Sequence, residues 1–176
     1  QSIVVYANKS NFITAEMSYI WNSPAARWIV PDIVNVGVGF SGIFGVGATS
    51  SIELNWVVRG PEASLIPILS ASEYVGGGFS VDATVNIGGS VYIGPVSHIN
   101  RGMVSTSIAN GDFGGFLSFG LTELGKIGVT GSAAPTGNSL LVSGQINFGA
   151  GLPMGPVPVN GAVGAYNTYV LKDFSK

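Results

Sequence analysis

Four long runs of the chain alternate between apolar and polar side chains, and this period of two constrains the fold more than any other feature. In Ile33–Ser41, Val34, Val36, Val38 and Phe40 alternate with Asn35, Gly37, Gly39 and Ser41. In Ser51–Val58, Ile52, Leu54, Trp56 and Val58 share one face, and Ser51, Glu53 and Asn55 the other. In Phe79–Ile87, Phe79, Val81, Ala83, Val85 and Ile87 oppose Ser80, Asp82, Thr84 and Asn86. In Leu140–Phe148, Leu140, Val142, Ile146 and Phe148 oppose Ser143, Gln145 and Asn147. Successive side chains of a strand point to opposite faces, so each run reads as a strand with one apolar and one polar side.

Weaker strand signals fill the gaps. Ser2–Ala7, Ala63–Val75, Met103–Ile108, Phe113–Thr122, Gly125–Thr130 and Val157–Leu171 are rich in apolar and β-branched residues, with Pro67 forcing an edge or a bend in the second. Turn signals stand at Arg59-Gly60-Pro61, Gly76-Gly77-Gly78, Gly88-Gly89, Asn110-Gly111-Asp112 and Pro135-Thr136-Gly137-Asn138. Phe12–Trp21 reads as a strand, with a helix as the alternative because Ile13, Met17, Ile20 and Trp21 also fall at three- and four-residue spacing. Ala25–Ile29 fits a short helical turn. These signals predict one all-β domain over residues 1–176, an antiparallel barrel or strongly coiled β-sandwich of about eight to ten strands.

Charge is scarce. Seven basic and nine acidic residues among 176 make 9% of the chain, against roughly 25% in an ordinary soluble domain. A net charge of −2 offers nothing to a polyanion, which argues against nucleic acid as a partner. The surface left neutral predicts self-association, so a homo-oligomer is expected. The 27 glycines fit bulges and tight curvature in a coiled sheet, or a bare face that another molecule approaches closely. No run of 18 apolar residues provides a transmembrane helix.

Catalytic constellations are not assembled. The chain has no cysteine, and His98 is its single histidine. No Gly-x-Ser-x-Gly elbow focuses a nucleophile, and most acids fall near turns, with Glu53 and Asp82 on polar strand faces. Gly76-Gly77-Gly78 precedes no helix and carries no lysine, as a phosphate loop would. The expectation is a non-enzyme with no metal and no cofactor. Trp56 is in phase with Ile52, Leu54 and Val58 and is expected in the core, whereas Trp28, between Arg27 and Pro31, is the candidate exposed aromatic.

Low-charge alternating strands also suit a membrane-spanning hairpin, one face on lipid and the other on water. On that reading Trp28, Phe79, Val81, Val85 and Ile87 contact membrane lipid or an apolar ligand, and Ser80, Asp82, Thr84 and Asn86 form a polar or pore-lining face. Against a constitutive outer-membrane barrel, the chain ends Lys172-Asp173-Phe174-Ser175-Lys176 and lacks long polar loops. The rivals are a soluble barrel holding a small apolar molecule and a self-associating structural or adhesive module.

The glycine-rich stretches Val36–Ala48, Gly76–Gly89 and Val159–Ala165 resemble β domains at the C-terminal ends of bacterial Rhs-type polymorphic toxins. The resemblance rests on texture over about Ile33 to Leu171 and carries over no catalytic residue. It implies a secreted or cell-surface domain released by proteolysis, in keeping with a chain that starts at Gln1. It also implies membrane damage as the activity and an immunity protein as a partner.

Overall fold

The computed structural model describes residues 17–105, 114–121, 126–136, 139–152 and 159–176. Residues 17–21 are helical, with Asn22 N donating to Ser18 O at 3.0 Å. The described end of Phe12–Trp21 is thus helix in place of the expected strand. Its three- and four-residue spacing closes backbone bonds locally, where a strand would need a neighbouring edge. A short helix α1 (Pro24–Ile29) follows. Ser23 caps it by accepting from Ala26 N at 3.3 Å, and Pro24 takes the first turn, where no amide hydrogen is needed.

Six strands follow: β1 (Ile33–Val57), β2 (Ile68–Tyr92), β3 (Gly114–Leu121), β4 (Lys126–Thr136), β5 (Ser139–Gly151) and β6 (Val159–Asp173). Two 3-10 turns, η1 (Val96–His98) and η2 (Arg101–Val104), lie between β2 and β3. The expected strand at Met103–Ile108 therefore begins as a 3-10 turn over its described part. Ser2–Ala7 and Asn110-Gly111 lie outside the described residues.

Every pairing is antiparallel, in the order β1-β2-β5-β4-β3-β6. β2 also pairs with β6. On one side β2 follows β1 from Ile68↔Asn55 to Ser90↔Ile33. On the other it is shared, with residues up to Phe79 on β6 and residues from Asp82 on β5. Six strands are seen among the described residues where eight to ten were expected, because β1 and β2 are each 25 residues long. Both run straight through expected breaks. Gly76-Gly77-Gly78 and Gly88-Gly89 are not turns; they sit inside β2, bonded in register to β1.

β1 nevertheless doubles back on itself. Val58 N donates to Asp32 O at 2.9 Å, and the Ser41 and Thr49 hydroxyls share a 2.8 Å bond. The reversal centres on Gly45, whose φ of 77° suits glycine. Gly78, directly across on β2, has φ 134°, and a Cβ there would collide with the Gly161 carbonyl.

The faces are inverted relative to a water-soluble sheet. Along β1, Asn35, Ser51, Glu53 and Asn55 are buried while Val36, Val38, Phe40, Val46 and Ile52 are exposed. Along β2, Ser70, Ser72, Ser80, Thr84, Asn86 and Ser90 are buried while Val75, Val85 and Ile87 are exposed. On β4, β5 and β6, Ile127, Val129, Ile146, Phe148 and Val163 also face outward. Trp56 belongs to this outer phase and is half-buried, not core. Of its phase-mates, Ile52 is exposed and Leu54 half-buried among the described residues.

The main apolar cluster sits at one end of the sheet. Ile33, Val57, Ile68, Tyr92 and Leu141 from the strand ends pack with Ile99, Met103 and Val104 from the η1–η2 segment. This end is called the cap end below.

Candidate functional site

The inner face holds two small polar chambers, each of about 50 Å³. The first is lined by Ser41, Thr49, Ser80, Asp82, Thr84, Asn86, Thr130 and Asn147, among others. The second, toward the cap end, is lined by Asn35, Glu53, Asn55, Ser72, Ser90, Ser132, Ser143 and Thr168, and closes on Met103 and Val104. Tyr74 and Gln145 border both. About one probe sphere, ~10–15 Å³, is enough for a water, so each chamber has room for a few small polar occupants and none for a drug-sized ligand.

Side chains cross the interior between the chambers. Gln145 Nε2 on β5 donates to Glu53 Oε1 on β1 at 2.8 Å. The Tyr74 and Tyr166 rings, from β2 and β6, stack at 5.3 Å between centroids. Glu53 also accepts from Ser51 Oγ and Asn35 Nδ2, each at 3.4 Å. Burial pushes the Glu53 carboxyl above its ordinary value, and the Gln145 and Ser51 bonds only partly oppose this. Burial also pushes the Tyr74 and Tyr166 phenols upward, with the neighbouring Glu53 charge adding to it. No Lys, Arg or His is among the described residues lining either chamber. Asn35 Oδ1 is buried with no hydrogen-bond partner.

Charged side chains gather at the cap end. Asp32, fully buried, accepts from Arg27 Nε at 2.9 Å and from Tyr92 N at 2.9 Å, and lies 3.6 Å from Arg59. Arg59 stacks over Trp21 at 4.2 Å and donates to Trp21 O at 2.9 Å, which ties the N-terminal helical segment down. Arg101 on η2 pairs with Asp173 at 2.6 Å, and its backbone N donates to Glu62 at 2.7 Å. That pairing holds the Asp173 carboxyl well below the usual carboxylate range. The η1–η2 cap is thus fastened to the start of β2 and the end of β6.

The structure gathers Ser80, Asp82, Thr84 and Asn86 in the first chamber, where Thr84 donates to Asn86 Oδ1 at 2.8 Å and Ser80 to Asp82 at 2.5 Å. Val85 and Ile87 point to the opposite, exposed side. Phe79 and Val81 are half-buried, and Phe79 meets Phe44 edge-on at 5.5 Å. Trp28 is exposed on α1, apart from both chambers. Sequence reasoning did not single out Asn35, Gln145 or Tyr166 as site residues. Asn35 and Gln145 occupied the polar phase of the period-two runs, which is the signal that points to them. His98 lies in η1 and lines neither chamber. Among the described residues no three His, Cys, Asp or Glu side chains gather as metal ligands. No described helix is long and apolar enough to cross a membrane.

No family model, curated protein sequence or solved structure matches the chain.

Proposed function

We propose that the protein is a membrane-active β-barrel with a polar, capped lumen, a pore-forming domain held closed. The observation that carries this reading is the inversion of the faces: hydroxyls, amides and Glu53 inside, Val, Ile and Phe outside. A water-soluble sheet hides its apolar phase, whereas a barrel in lipid presents it and turns polar residues inward. The pairing circuit β2–β5–β4–β3–β6–β2, with β1 doubled back beside β2, supports closure with eight strand passes. Closure satisfies the backbone polar groups, as lipid demands. β4, β5 and β6 have 11, 13 and 15 residues, and each half of β1 or β2 about 12, against the ~9–11 needed to span tilted. Exposed Tyr19, Trp21 and Trp28 near the charged cap end suit a membrane–water interface.

The glycine-rich texture shared with Rhs-type toxin termini adds a setting: a domain secreted or exposed at the cell surface, released from a longer chain, self-associating at its target and neutralised in the producer by an immunity protein. Chambers of about 50 Å³ are too small for more than a few waters, so the soluble-barrel alternative draws no support from their size, although Ile33, Met103, Val104 and Leu141 also line the second. Planar-bilayer recording tests the proposal. Purified protein should insert and conduct rarely, and disulfide-free weakening of the cap by Arg101→Ala should raise the open fraction. If neither protein inserts into any vesicle composition, the outer face serves self-association instead.

A further inference from the structure

We infer that the Gly45 reversal is the leading end of the protein, the end that crosses a phospholipid bilayer while the cap end stays on the side from which the protein arrives. The inference rests on the membrane reading of the outer face and adds its direction. The reversal lies 12 residues from either end of β1. At ~3.3 Å per residue that is about 40 Å of strand, which at the tilt of a barrel strand matches the ~30 Å of hydrocarbon.

The two ends differ in polarity. At the reversal Phe44 is 80% and Val46 78% exposed. Phe44 meets Phe79 edge-on, and Val46, Gly77 and Val163 stand side by side on β1, β2 and β6. Exposed Phe40 and Val75 extend this apolar ledge. The sequence has no acid or base between Asp32 and Glu53, between Glu73 and Asp82, or from Val159 to Leu171. Asp82 lines the first chamber and not the ledge. Lys126 begins β4 toward this end, on a strand bonded to β3 and β5 and to none of the three that form the ledge. At the cap end Glu62, Lys172 and Lys176 are exposed beside the Arg27–Asp32 and Arg101–Asp173 ion pairs. Crossing cap first would carry all of these charges through hydrocarbon, where each is costly. Crossing with the reversal first carries apolar side chains and a backbone already bonded in register between β1 and β2.

Single cysteines test the direction, Val46→Cys at the reversal and Leu65→Cys in the β1–β2 connection at the cap end, where Leu65 is 89% exposed. Each protein is added from outside to vesicles of phosphatidylcholine and phosphatidylglycerol, floated, and treated with a membrane-impermeant maleimide before and after detergent. In floated protein Leu65→Cys should react, and Val46→Cys should stay unmodified until detergent is added. Val46→Lys should slow vesicle insertion at least about tenfold, because a lysine would then lead through the hydrocarbon, and Leu65→Lys should leave the rate unchanged. Floated protein in which Val46→Cys reacts no more slowly than Leu65→Cys overturns the direction while the membrane reading stands. An insertion rate unchanged by Val46→Lys overturns it too. If no protein floats, the membrane reading itself fails and takes the direction with it.

Discussion

Gln145 on β5 reaches across the interior to donate a 2.8 Å hydrogen bond to the Glu53 carboxylate on β1. That bond links β1 and β5, the two strands that flank β2, at the partition between the two chambers. It also places a buried carboxyl where burial outweighs its hydrogen bonds.

The first prediction follows from that balance. An acid whose folded pKa lies above its unfolded value holds its proton more tightly when folded. Its stabilising contribution is complete below the unfolded value and is lost as pH rises to the folded one. For Glu53, stability should fall as pH climbs above its ordinary 4.5 and then level off. Asp173 is shifted the other way and acts below its ordinary 3.8, so the window above about pH 4 reports Glu53. Urea unfolding in detergent between about pH 4 and 8, in N-methylglucamine buffer, should show this decline in wild type and a flatter profile in Glu53→Gln.

Val85→Arg separates lipid from water on the outer face. Val85 is exposed, so in water the guanidinium should cost within about 0.5 kcal/mol. At mid-bilayer depth the same change costs roughly 2–4 kcal/mol. Folding yield into vesicles should therefore drop sharply for Val85→Arg, while its detergent-free solubility rises. Equal yields for variant and wild type would speak against lipid contact.

Glu73 gives the converse. It is exposed on β2 between Ser72 and Tyr74, with Ser50 of β1 and Asn167 of β6 as its cross-strand partners, and it is the acidic residue on the outer phase of β2. Glu73→Leu should increase the vesicle-inserted fraction, measured by flotation, because it removes a charge from the side that the proposal sets against lipid.

Asp32 anchors the cap end. Removing the carboxylate strands Arg27 and the fully buried Arg59 without their shared partner. Asp32→Ala should cost about 3–5 kcal/mol, read by chemical denaturation, and should free the segment containing Trp21, read by its fluorescence.

The strand content and the segregation of faces were legible because period two is a local property. β5 and β6 fall close to Leu140–Phe148 and Val157–Leu171. The sequence could not say which face is hidden, since Ile52, Leu54 and Trp56 alternate identically whether they pack on a core or point outward. Gly76-Gly77-Gly78 misled for a related reason. Glycine permits a turn, but it also permits the close approach at Gly78 that lets a strand bend without breaking. The helical residues 17–21 were lost because a short run matches both periods. The Asn35–Glu53–Gln145 cluster joins three distant runs, and its members meet only through the register of β1, β2 and β5.

Site-directed spin labelling tests the proposed inverted barrel most directly, and the absence of cysteine makes single labels clean. Labels placed in turn at residues 83 through 88 of β2, in protein mixed with lipid vesicles, would be scored for collisions with oxygen and with a water-soluble nickel complex. The account predicts a period of two: at Val85 and Ile87 high oxygen and low nickel access, at Thr84 and Asn86 little access to either. High nickel access at Val85 and Ile87 in the presence of vesicles would contradict it.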